Sequence, residues 1–366
     1  MKTIEYIKQN GLKALTDDLA IAVKPFITPE GDTLYLLDYN QIDSPKCHPV
    51  VMECRSLIID SEYNVVSRSF DRFFNISEAP DVTPKIDWST DVVASKVDGS
   101  LTKVFCYKNT WYISTRGTAF ADSKVGPWDM TFRDLVLKAL DVYDDEEFQN
   151  RCNKFLDKEN TYIFEVTSME NRVVTRYEGY TLHLLAIRNN LVGNYIDVNQ
   201  LSSEFRHKNV KTYSFATEKE CIDAANNLPD LEEGYVVYKQ GIPICKIKSP
   251  LYVSIHYVKG NGLTPRIIME KILENEVEEY LAYFPEDAKH FLPYQKALIS
   301  LMIDVHESFI KNITIVNQKD FAMAVKDTPF AAILFFARKS GVGVAESFEL
   351  QTAPYKLRLL ETYVKV

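Results

Sequence analysis

Short runs of β-branched and aromatic residues follow one another from about residue 33 to residue 258, and helical spacing replaces them after about residue 264. Each run is bounded by Gly, Asn, Asp or Pro, as strands of a sheet usually are. The runs that we predict to be strands are D-T-L-Y-L-L-D-Y, R-S-L-I-I-D, V-V-A-S-K-V, T-W-Y-I-S-T-R, Y-I-F-E-V, T-L-H-L-L-A-I and G-Y-V-V-Y. This order of patterns predicts an α+β fold, in which a strand-rich domain precedes a helical one.

Helices are also expected within the strand-rich part. Residues 2 to about 24 have apolar spacing compatible with one or two short helices, and residues 129 to 156 have a helical pattern. A further helix is predicted at residues 217 to 227, because Thr217 is a good N-cap and Glu220 follows three positions later, as a capping box requires.

A boundary is predicted near residues 256 to 264, in Y-V-K-G-N-G-L-T-P, because two glycines and a proline interrupt the pattern there. Beyond it, T-P-R-I-I-M-E-K-I-L-E-N begins with a Thr N-cap and a Pro at the first helical position. We therefore predict one domain at residues 1–258 and a second, all-helical domain at residues 264–366.

Composition restricts the class of protein. A net charge of −9 argues against a protein that coats nucleic acid by bulk electrostatics, although it permits a narrow basic groove. Apolar runs stay shorter than the ~20 residues that cross a bilayer, and the N-terminus carries acid and amide side chains too early for a signal peptide. The six cysteines form no C-x-x-C pair. We expect a soluble cytoplasmic protein with reduced thiols.

Charged side chains stand beside several predicted strands, and each alone has two interpretations. Lys96 in A-S-K-V-D-G-S is either a solvated lysine at a turn or a nucleophile in a nucleotide pocket. Glu165 in Y-I-F-E-V faces either solvent or a site, and Glu233 begins E-G-Y-V-V-Y. Lys246 and Lys248 fall on one face of a strand, where two ammonium groups repel each other unless an anion lies between them.

The order of these motifs is more informative than any one of them. K-V-D-G-S, I-F-E-V, E-G-Y-V-V-Y and K-I-K-S-P resemble the covalent nucleotidyltransferases, which include nucleic-acid ligases and mRNA capping enzymes. E-C-R, F-F-N, S-T-R-G and the sequence from K-I-K-S to Y-V-S-I-H look like the phage RNA ligase 1 family of the tRNA-repair type. The resemblance covers most of residues 35 to 258. It implies an antiparallel-sheet nucleotidyltransferase domain, here with a C-terminal all-helical domain.

The resemblance implies a reaction in three steps that joins a 5′-phosphate to a 3′-hydroxyl of RNA. Lys96 would attack the α-phosphorus of ATP, AMP would pass to the RNA 5′-phosphate, and the 3′-hydroxyl would then displace AMP. A lysine with an ordinary pKa of ~10.4 is protonated at neutral pH, so nearby cations must favour its neutral form. Mg²⁺, Lys246 and Lys248 are the expected cations, and they would also hold the phosphates.

Other positions match nucleotide-contacting residues of the family by resemblance. Arg55 is expected at the AMP ribose or phosphate, and Glu165 at the ribose hydroxyls. Arg72 and Arg116 stand where the family usually has lysine near phosphate. The remaining matches are Tyr39 and Phe74 beside the nucleotide, Gly99 where the backbone approaches it, and Tyr252 after the K-I-K strand.

The metal ligands that the resemblance implies are Glu233, through bound water, and Glu278 of the helical domain. Glu278 also fits a solvated helix face, and both interpretations stay open. Val97 follows Lys96 where the phage family often has glutamate, and a valine cannot bind a metal.

The expected partner is RNA with 5′-phosphate and 3′-hydroxyl ends, tRNA above all, and the expected protein is a monomer in the cytoplasm, or in the host cytoplasm if phage-encoded. A DNA ligase or a GTP-dependent capping enzyme is the alternative. A predicted helical tail instead of an oligonucleotide-binding barrel favours the RNA ligase. A catalytically inactive RNA-binding relative would lack Lys96 or the pair Lys246 and Lys248, and all three are present.

Overall fold

The computed structural model describes residues 1–229, 231–260, 263–273 and 277–364, apart from the side chains at 257–260, 279, 282 and 283. The chain divides into two compact units, Met1–His256 and Tyr257–Val366. Every described strand lies in the first unit, and the described part of the second is helical. The predicted α+β architecture is therefore confirmed. Within the described residues, no helix combines the length and the apolarity that crossing a membrane requires.

The described strands of the first unit form three sheets. They are β1 (Ile21–Ile27), β2 (Thr33–Tyr39), β3 (Arg55–Asp60), β4 (Val65–Ser67), β5 (Phe74–Asn75), β6 (Val92–Ser95), β7 (Ser100–Tyr107), β8 (Thr110–Thr115), β9 (Asn160–Thr167), β10 (Thr181–Asn189), β11 (Tyr195–Ile196), β12 (Lys208–Asn209), β13 (Thr212–Tyr213), β14 (Gly234–Lys239) and β15 (Ile242–Lys248).

The described α-helices are divided between the units. The first unit holds α1 (Lys2–Asn10), α2 (Ala14–Leu19), α3 (Pro49–Glu53), α4 (Phe132–Leu140), α5 (Asp145–Phe155) and α6 (Glu218–Asn226), and α7 (Pro250–Gly260) contains the division. The second unit holds α8 (Pro265–Leu273), α9 (Val277–Tyr283), α10 (Ala288–Asn312), α11 (Gln318–Val325), α12 (Ala331–Ser340), α13 (Val344–Glu349) and α14 (Ala353–Glu361).

The three sheets are mainly antiparallel. The first has the order β1-β2-β3-β4, the second β11-β10-β9-β7-β8 with β12 beside β10, and the third β13-β6-β14-β15-β5. Only β12 on β10 and β5 on β15 are parallel pairs among the described strands. Helices α4 and α5 pack on the second sheet around Phe148 and Phe164, and α6 packs on the third around Cys221 and Tyr235. Each of these two sheets therefore has one face covered by helices.

Three local predictions need correction. The N-terminal helical zone ends at Leu19, because Ala20 is left-handed (φ 51°) and β1 starts at Ile21. The pattern at 129–156 is two helices, α4 and α5, separated at the left-handed Asp141 (φ 56°). Thr217 caps α6, but the Glu220 carboxylate accepts from the amide of Ala216 instead of Thr217, so the capping box is incomplete.

One buried lysine joins the first two sheets. Lys103 on β7 is fully buried, and its Nζ donates to the carbonyl of Ser56 on β3. Ser56 is the extra residue of a β-bulge, with φ of 56°, where the register between β2 and β3 shifts. Burial lowers the pKa of Lys103 to about 7.

Lys103 makes the stability of the first unit depend on pH. Because its folded-state pKa lies below its ordinary value of 10.5, the unfolded chain binds more protons between about pH 7 and 10. Relative to Lys103→Met, the wild type should gain up to about 1.4 kcal/mol of unfolding free energy per pH unit over this window. Urea unfolding followed by tryptophan fluorescence measures this, since Trp88, Trp111 and Trp128 all lie in the first unit.

The matched control is Lys219→Met, which removes an exposed lysine of α6. Its pH dependence should follow the wild type. Parallel curves for the wild type and Lys103→Met would show that Lys103 keeps an ordinary pKa in the folded protein.

Candidate active site

The uncovered faces of the second and third sheets line a cleft. Strand β15 directs Lys246 and Lys248 to one side, because side chains alternate along a strand. Phe73 packs against a cluster that contains Ile163 and Ala186 of the second sheet. Lys246 Nζ of the third sheet is 5.8 Å from its ring centre, and the guanidinium carbon of Arg55, on β3 of the first sheet, is 5.1 Å from it. Two cationic side chains of the cleft, Arg55 and Lys246, therefore lie close to the ring of Phe73.

Lys96 lies at the end of β6, beside the first residue of β14. Its backbone amide donates to the carbonyl of Gly234 at 2.8 Å. Its Nζ lies 2.5 Å from Oε2 of Glu233, and Lys248 Nζ lies 2.8 Å from Oε1 of the same carboxylate. Glu233 is only 4% exposed, so one buried carboxylate joins two ammonium groups that come from different strands.

The geometry around Glu233 depends on the glycine that follows it. Gly234 has φ of 138°, and a Cβ there would lie 2.0 Å from the carbonyl oxygen of Ile247. Gly234 pairs with Lys248 across β14 and β15, which brings Lys248 to the Glu233 carboxylate. Burial alone would raise the pKa of Glu233, but the charges of Lys96 and Lys248 outweigh burial and lower it.

Two further charged groups of the cleft, Lys246 and Glu165, have pKa values that are shifted toward neutrality. Burial, with the charges of Arg55, Lys248 and Lys96, lowers the pKa of Lys246 to about 8. Burial raises the pKa of Glu165 to about 7, with Lys96 opposing this and Glu233 adding to it. Groups perturbed by burial and by specific charges in a cleft are typical of functional sites.

Arg55 has the character of an anion-binding residue. It directly precedes the bulge residue Ser56, and its guanidinium lies over the rings of Phe70 (5.9 Å) and Phe73 (5.1 Å). Its Nε is buried with no hydrogen-bond partner among the described residues. Burial lowers the pKa of Arg55, so an anion in the cleft would find a buried, unsatisfied donor.

A second group of candidate residues surrounds Tyr39. The guanidinium carbons of Arg72 and Arg116 lie 4.2 and 4.9 Å from its ring centre. Arg116 Nε donates to Oδ2 of Asp38 at 3.0 Å, and Arg72 also lies 5.5 Å from the ring of Phe74. Nη1 of Arg72 is buried without a partner in the described part of the chain.

The loop after Lys96 is held by hydrogen bonds that the sequence did not reveal. Oδ2 of Asp98 accepts from the amides of Val174 and Thr175 at 2.8 and 2.7 Å, and Oδ1 accepts from the hydroxyl of Tyr252 at 2.7 Å. Tyr252, which we expected near the K-I-K strand, is thus buried against this loop. Asp98 in K-V-D-G could have been noticed in the sequence as a polar residue next to Lys96. Its hydrogen-bond partners could not, because they lie more than 70 residues further along the chain.

Gly99 is required by a contact within the protein. A Cβ at this position would lie 2.4 Å from the carbonyl oxygen of Val166 and 3.1 Å from Cγ of Glu165 on β9. The absence of a side chain at Gly99 therefore lets the loop after Lys96 lie against β9. The expected approach of the Gly99 backbone to a nucleotide stays a prediction.

Two cavities lie in the first unit. One of about 640 Å³ is lined by Ala94, Leu185 and Tyr238, with Asp197 and several amide and hydroxyl side chains as polar members. Another of about 480 Å³ is lined by Lys246 and Lys248, and by Asn75, Asn226 and His256. The first has apolar walls with a few polar groups, as sites for planar ligands usually have, and the second is basic.

The acidic groups fit a magnesium ion only together with a ligand. Among the described residues, no cluster of three or more His, Cys, Asp or Glu could hold a metal ion. Glu233 lies between two ammonium groups in the first unit, whereas Glu278 is exposed on α9 in the second. One carboxylate plus the phosphates of a nucleotide is an arrangement that magnesium commonly uses. Both metal assignments stay predictions.

Comparisons with known proteins agree with the motifs. A family model described as RNA ligase matches residues 53–252. A putative bifunctional polynucleotide kinase/RNA ligase of Autographa californica nuclear polyhedrosis virus is 36% identical in an alignment of 380 positions, gaps included, that covers 98% of this chain and 53% of the viral protein. An RNA ligase of Rhodothermus phage RM378 is 23% identical over 70% of this chain and 72% of its own length. The chain thus spans about half the length of the baculovirus relative.

The solved structures are less similar to this chain than these relatives are. An archaeal ATP-dependent RNA ligase has 12% identity and a TM-score of 0.46 over 100% of this chain and 79% of its own. A Naegleria gruberi RNA ligase with pyrophosphate has 18% identity and a TM-score of 0.33 over 46% of this chain and 51% of its own. Both scores are too low to assign roles to residues.

The region matched by the RNA ligase model is more than half of the 366 residues and contains Lys96, Glu233, Lys246 and Lys248. This chain belongs to the phage RNA ligase 1 family.

Proposed function

We propose that this chain is an ATP-dependent RNA ligase that joins 5′-phosphate and 3′-hydroxyl ends through a lysyl-AMP intermediate and an RNA-adenylate. The observation that carries the proposal is the contact of Lys96 with the buried Glu233, which Lys248 also contacts. A structural lysine at a turn has no need of such surroundings. Four cationic side chains in one cleft are the environment that a polyphosphate requires.

In the first step, the Nζ of Lys96 forms a bond to the α-phosphorus of ATP, and the bond from that phosphorus to the bridging oxygen breaks. Pyrophosphate leaves with the electron pair, and the lysine loses its protons to solvent or to a neighbouring carboxylate. Glu233 holds Lys96 in place before attack, at 2.5 Å. A magnesium ion held by Glu233 and the phosphates would supply positive charge that favours the neutral amine.

We place the nucleotide along the cleft. Its purine fits the cavity of about 640 Å³, between the walls that Ala94 and Leu185 provide. Its phosphates lie beside Lys246, Lys248 and Arg55, and the unpaired Nε of Arg55 donates a hydrogen bond to a phosphate oxygen. Glu165 is positioned on β9 to accept hydrogen bonds from ribose hydroxyls, and Arg72 and Arg116 extend the cationic surface.

The later steps reuse the same cations. AMP passes from Lys96 to the RNA 5′-phosphate, forming a phosphoanhydride and freeing the lysine, and the RNA 3′-hydroxyl then attacks that 5′-phosphorus and releases AMP. Each step displaces one group at phosphorus, so positioning and charge neutralisation contribute most of the rate. The name of the baculovirus relative pairs a kinase with a ligase, which suits an enzyme that consumes 5′-phosphates. Repair of broken tRNA in the cytoplasm rests on the motif resemblance alone.

Lys96→Ala should abolish the adenylylated protein and all joining of ends that are not already adenylylated. The variant should still seal an RNA with a pre-formed 5′-adenylate, because that step does not use the nucleophile. Intact-protein mass spectrometry after incubation with ATP and magnesium measures the added AMP. Lys239→Ala, which removes an ion-paired lysine of β14, is the control and should be adenylylated normally. An AMP adduct on Lys96→Ala, or an adduct from GTP alone, would contradict the proposal.

Glu233→Gln should slow lysyl-AMP formation by about 10²- to 10³-fold, because the amide cannot position both Lys96 and Lys248, cannot take a proton from Lys96 and contributes no charge to a metal. The single-turnover rate of adenylylation measures this. Glu232→Gln changes the preceding, less buried carboxylate and serves as the control. Equal adenylylation rates for Glu233→Gln and the wild type, with both proteins folded, would show that Glu233 does not take part in the reaction.

Binding of the triphosphate should weaken as the pH rises past about 8. Lys246 has a pKa of about 8 in the free protein, so its charge is present below this pH and is lost above it. Lys246→Arg keeps its charge at all accessible pH values and should show a flatter profile. Titration with α,β-methylene ATP, which cannot transfer AMP, gives the dissociation constants. Identical profiles for the variant and the wild type would mean that Lys246 does not titrate in this range.

A further inference from the structure

Helix α10 has apolar side chains on two opposite faces. Its buried face packs into the second unit through Phe291, Tyr294, Ala297, Leu301 and Val305. At 100° per residue, a different set points away from that face. The side chains of that set are large and exposed: Leu292 (50%), Ile299 (60%), Ile303 (51%) and Ile310 (58%). Four exposed aliphatic side chains along one face of a single helix indicate an interaction surface.

The spacing of this row is that of a helix that packs against another helix. Together with Lys296 and His306, both exposed, the row occupies positions 292, 296, 299, 303, 306 and 310. The successive steps are four, three, four, three and four residues, which is the 3.5-residue repeat of a coiled coil. We name these six residues the α10 seam. A scattered surface of single apolar residues would have no such repeat.

We propose that the α10 seam pairs in antiparallel orientation with the α10 seam of a second copy of this chain. In this register a two-fold axis passes beside position 301. Ile299 then faces Ile303 of the other copy, and Leu292 faces Ile310. The polar residues of the seam also face each other, as Lys296 against His306.

The polar residues of the α10 seam favour the antiparallel orientation of the helix pair, and they favour a second copy of this chain as the partner. In a parallel pair, Lys296 would face Lys296 of the other copy, and two ammonium groups in one layer repel each other. In the antiparallel pair, each Lys296 instead meets His306 and comes close to Glu307, an exposed acid next in sequence. Every apolar seam residue finds an apolar partner and every polar one a polar partner, so the seam is complementary to itself. Such self-complementarity is what a two-fold interface requires.

The size of the seam sets the expected strength. From position 292 to 310 the helix rises about 27 Å. One helix pair of this length buries less than the ~1,600 Å² of a standard interface, so we expect a dimer with micromolar dissociation. This dimer differs from the monomer that we expect from the sequence. An RNA-binding surface would carry more cations than one lysine among four aliphatic residues, so a helix is the better-matched partner.

Sedimentation equilibrium of the full-length protein, from well below to well above micromolar concentration, tests the proposal. The wild type should change from monomer to dimer over this range. Ile303→Glu should weaken the dimer by at least ~100-fold, because two carboxylates per dimer replace buried aliphatic groups. Met323→Glu is the matched control: Met323 is 57% exposed on α11, outside the seam, and its variant should dimerise like the wild type. Far-ultraviolet circular dichroism checks that each variant is folded.

His306→Glu tests the orientation. In the antiparallel register it places a carboxylate opposite Lys296 twice per dimer, so the dissociation constant should fall about two- to fivefold. In a parallel register the same change puts two carboxylates together and weakens the dimer. Weaker dimerisation of His306→Glu would overturn the antiparallel pairing.

Other outcomes reject the interface itself. A wild type that stays monomeric at all concentrations, or a dimer that Ile303→Glu leaves intact, overturns the proposal. If the wild type is monomeric and Ile303→Glu, but not Met323→Glu, weakens binding of a tRNA probe, the seam contacts RNA instead.

Discussion

The arrangement of the site depends on one buried carboxylate held between two ammonium groups. Glu233 accepts from Lys96 and Lys248, which lie on segments far apart in sequence, and a buried charge is tolerated only when it is paired in this way. The pairing requires the β14–β15 register, which places Lys248 opposite Gly234, and requires the glycine itself. Loss of either would leave a charge in the cleft without its partner.

Around this contact, a second polar network fixes the loop that carries Lys96. Asp98 joins that loop to the backbone at Val174 and Thr175 and to the hydroxyl of Tyr252, so three distant segments meet at one carboxylate. Gly99 allows the same loop to touch β9. Lys96 is therefore held from both sides, while Lys246 and Arg55 are half-buried cations that an arriving anion would stabilise. The cleft is organised before a nucleotide is present, which reduces the cost of positioning it.

The prediction from sequence succeeded where a pattern is local. The seven predicted strands correspond to β2, β3, β6, β8, β9, β10 and β14, because each contains enough β-branched or aromatic residues to be recognised by itself. It failed for β5, β11, β12 and β13, which have two residues each and exist only because a neighbouring strand pairs with them. It also missed the short β4, the longer β7, which carries the polar Lys103 in its centre, and β1, whose first residues were assigned to the helical zone. The single helical pattern at 129–156 proved to be two helices, since apolar spacing does not reveal a left-handed break at Asp141.

The sequence by itself determined the order of the motifs and the face of β15 that carries Lys246 and Lys248, because alternation along a strand is a local property. Only the tertiary structure decided that Lys96 meets Glu233, 137 residues away, that Gly99 meets β9, and that Lys103 and Asp98 are buried connectors. These contacts depend on how two sheets pack and in which register β14 pairs with β15. Packing and register arise from the whole set of buried side chains, and no short stretch of sequence encodes them.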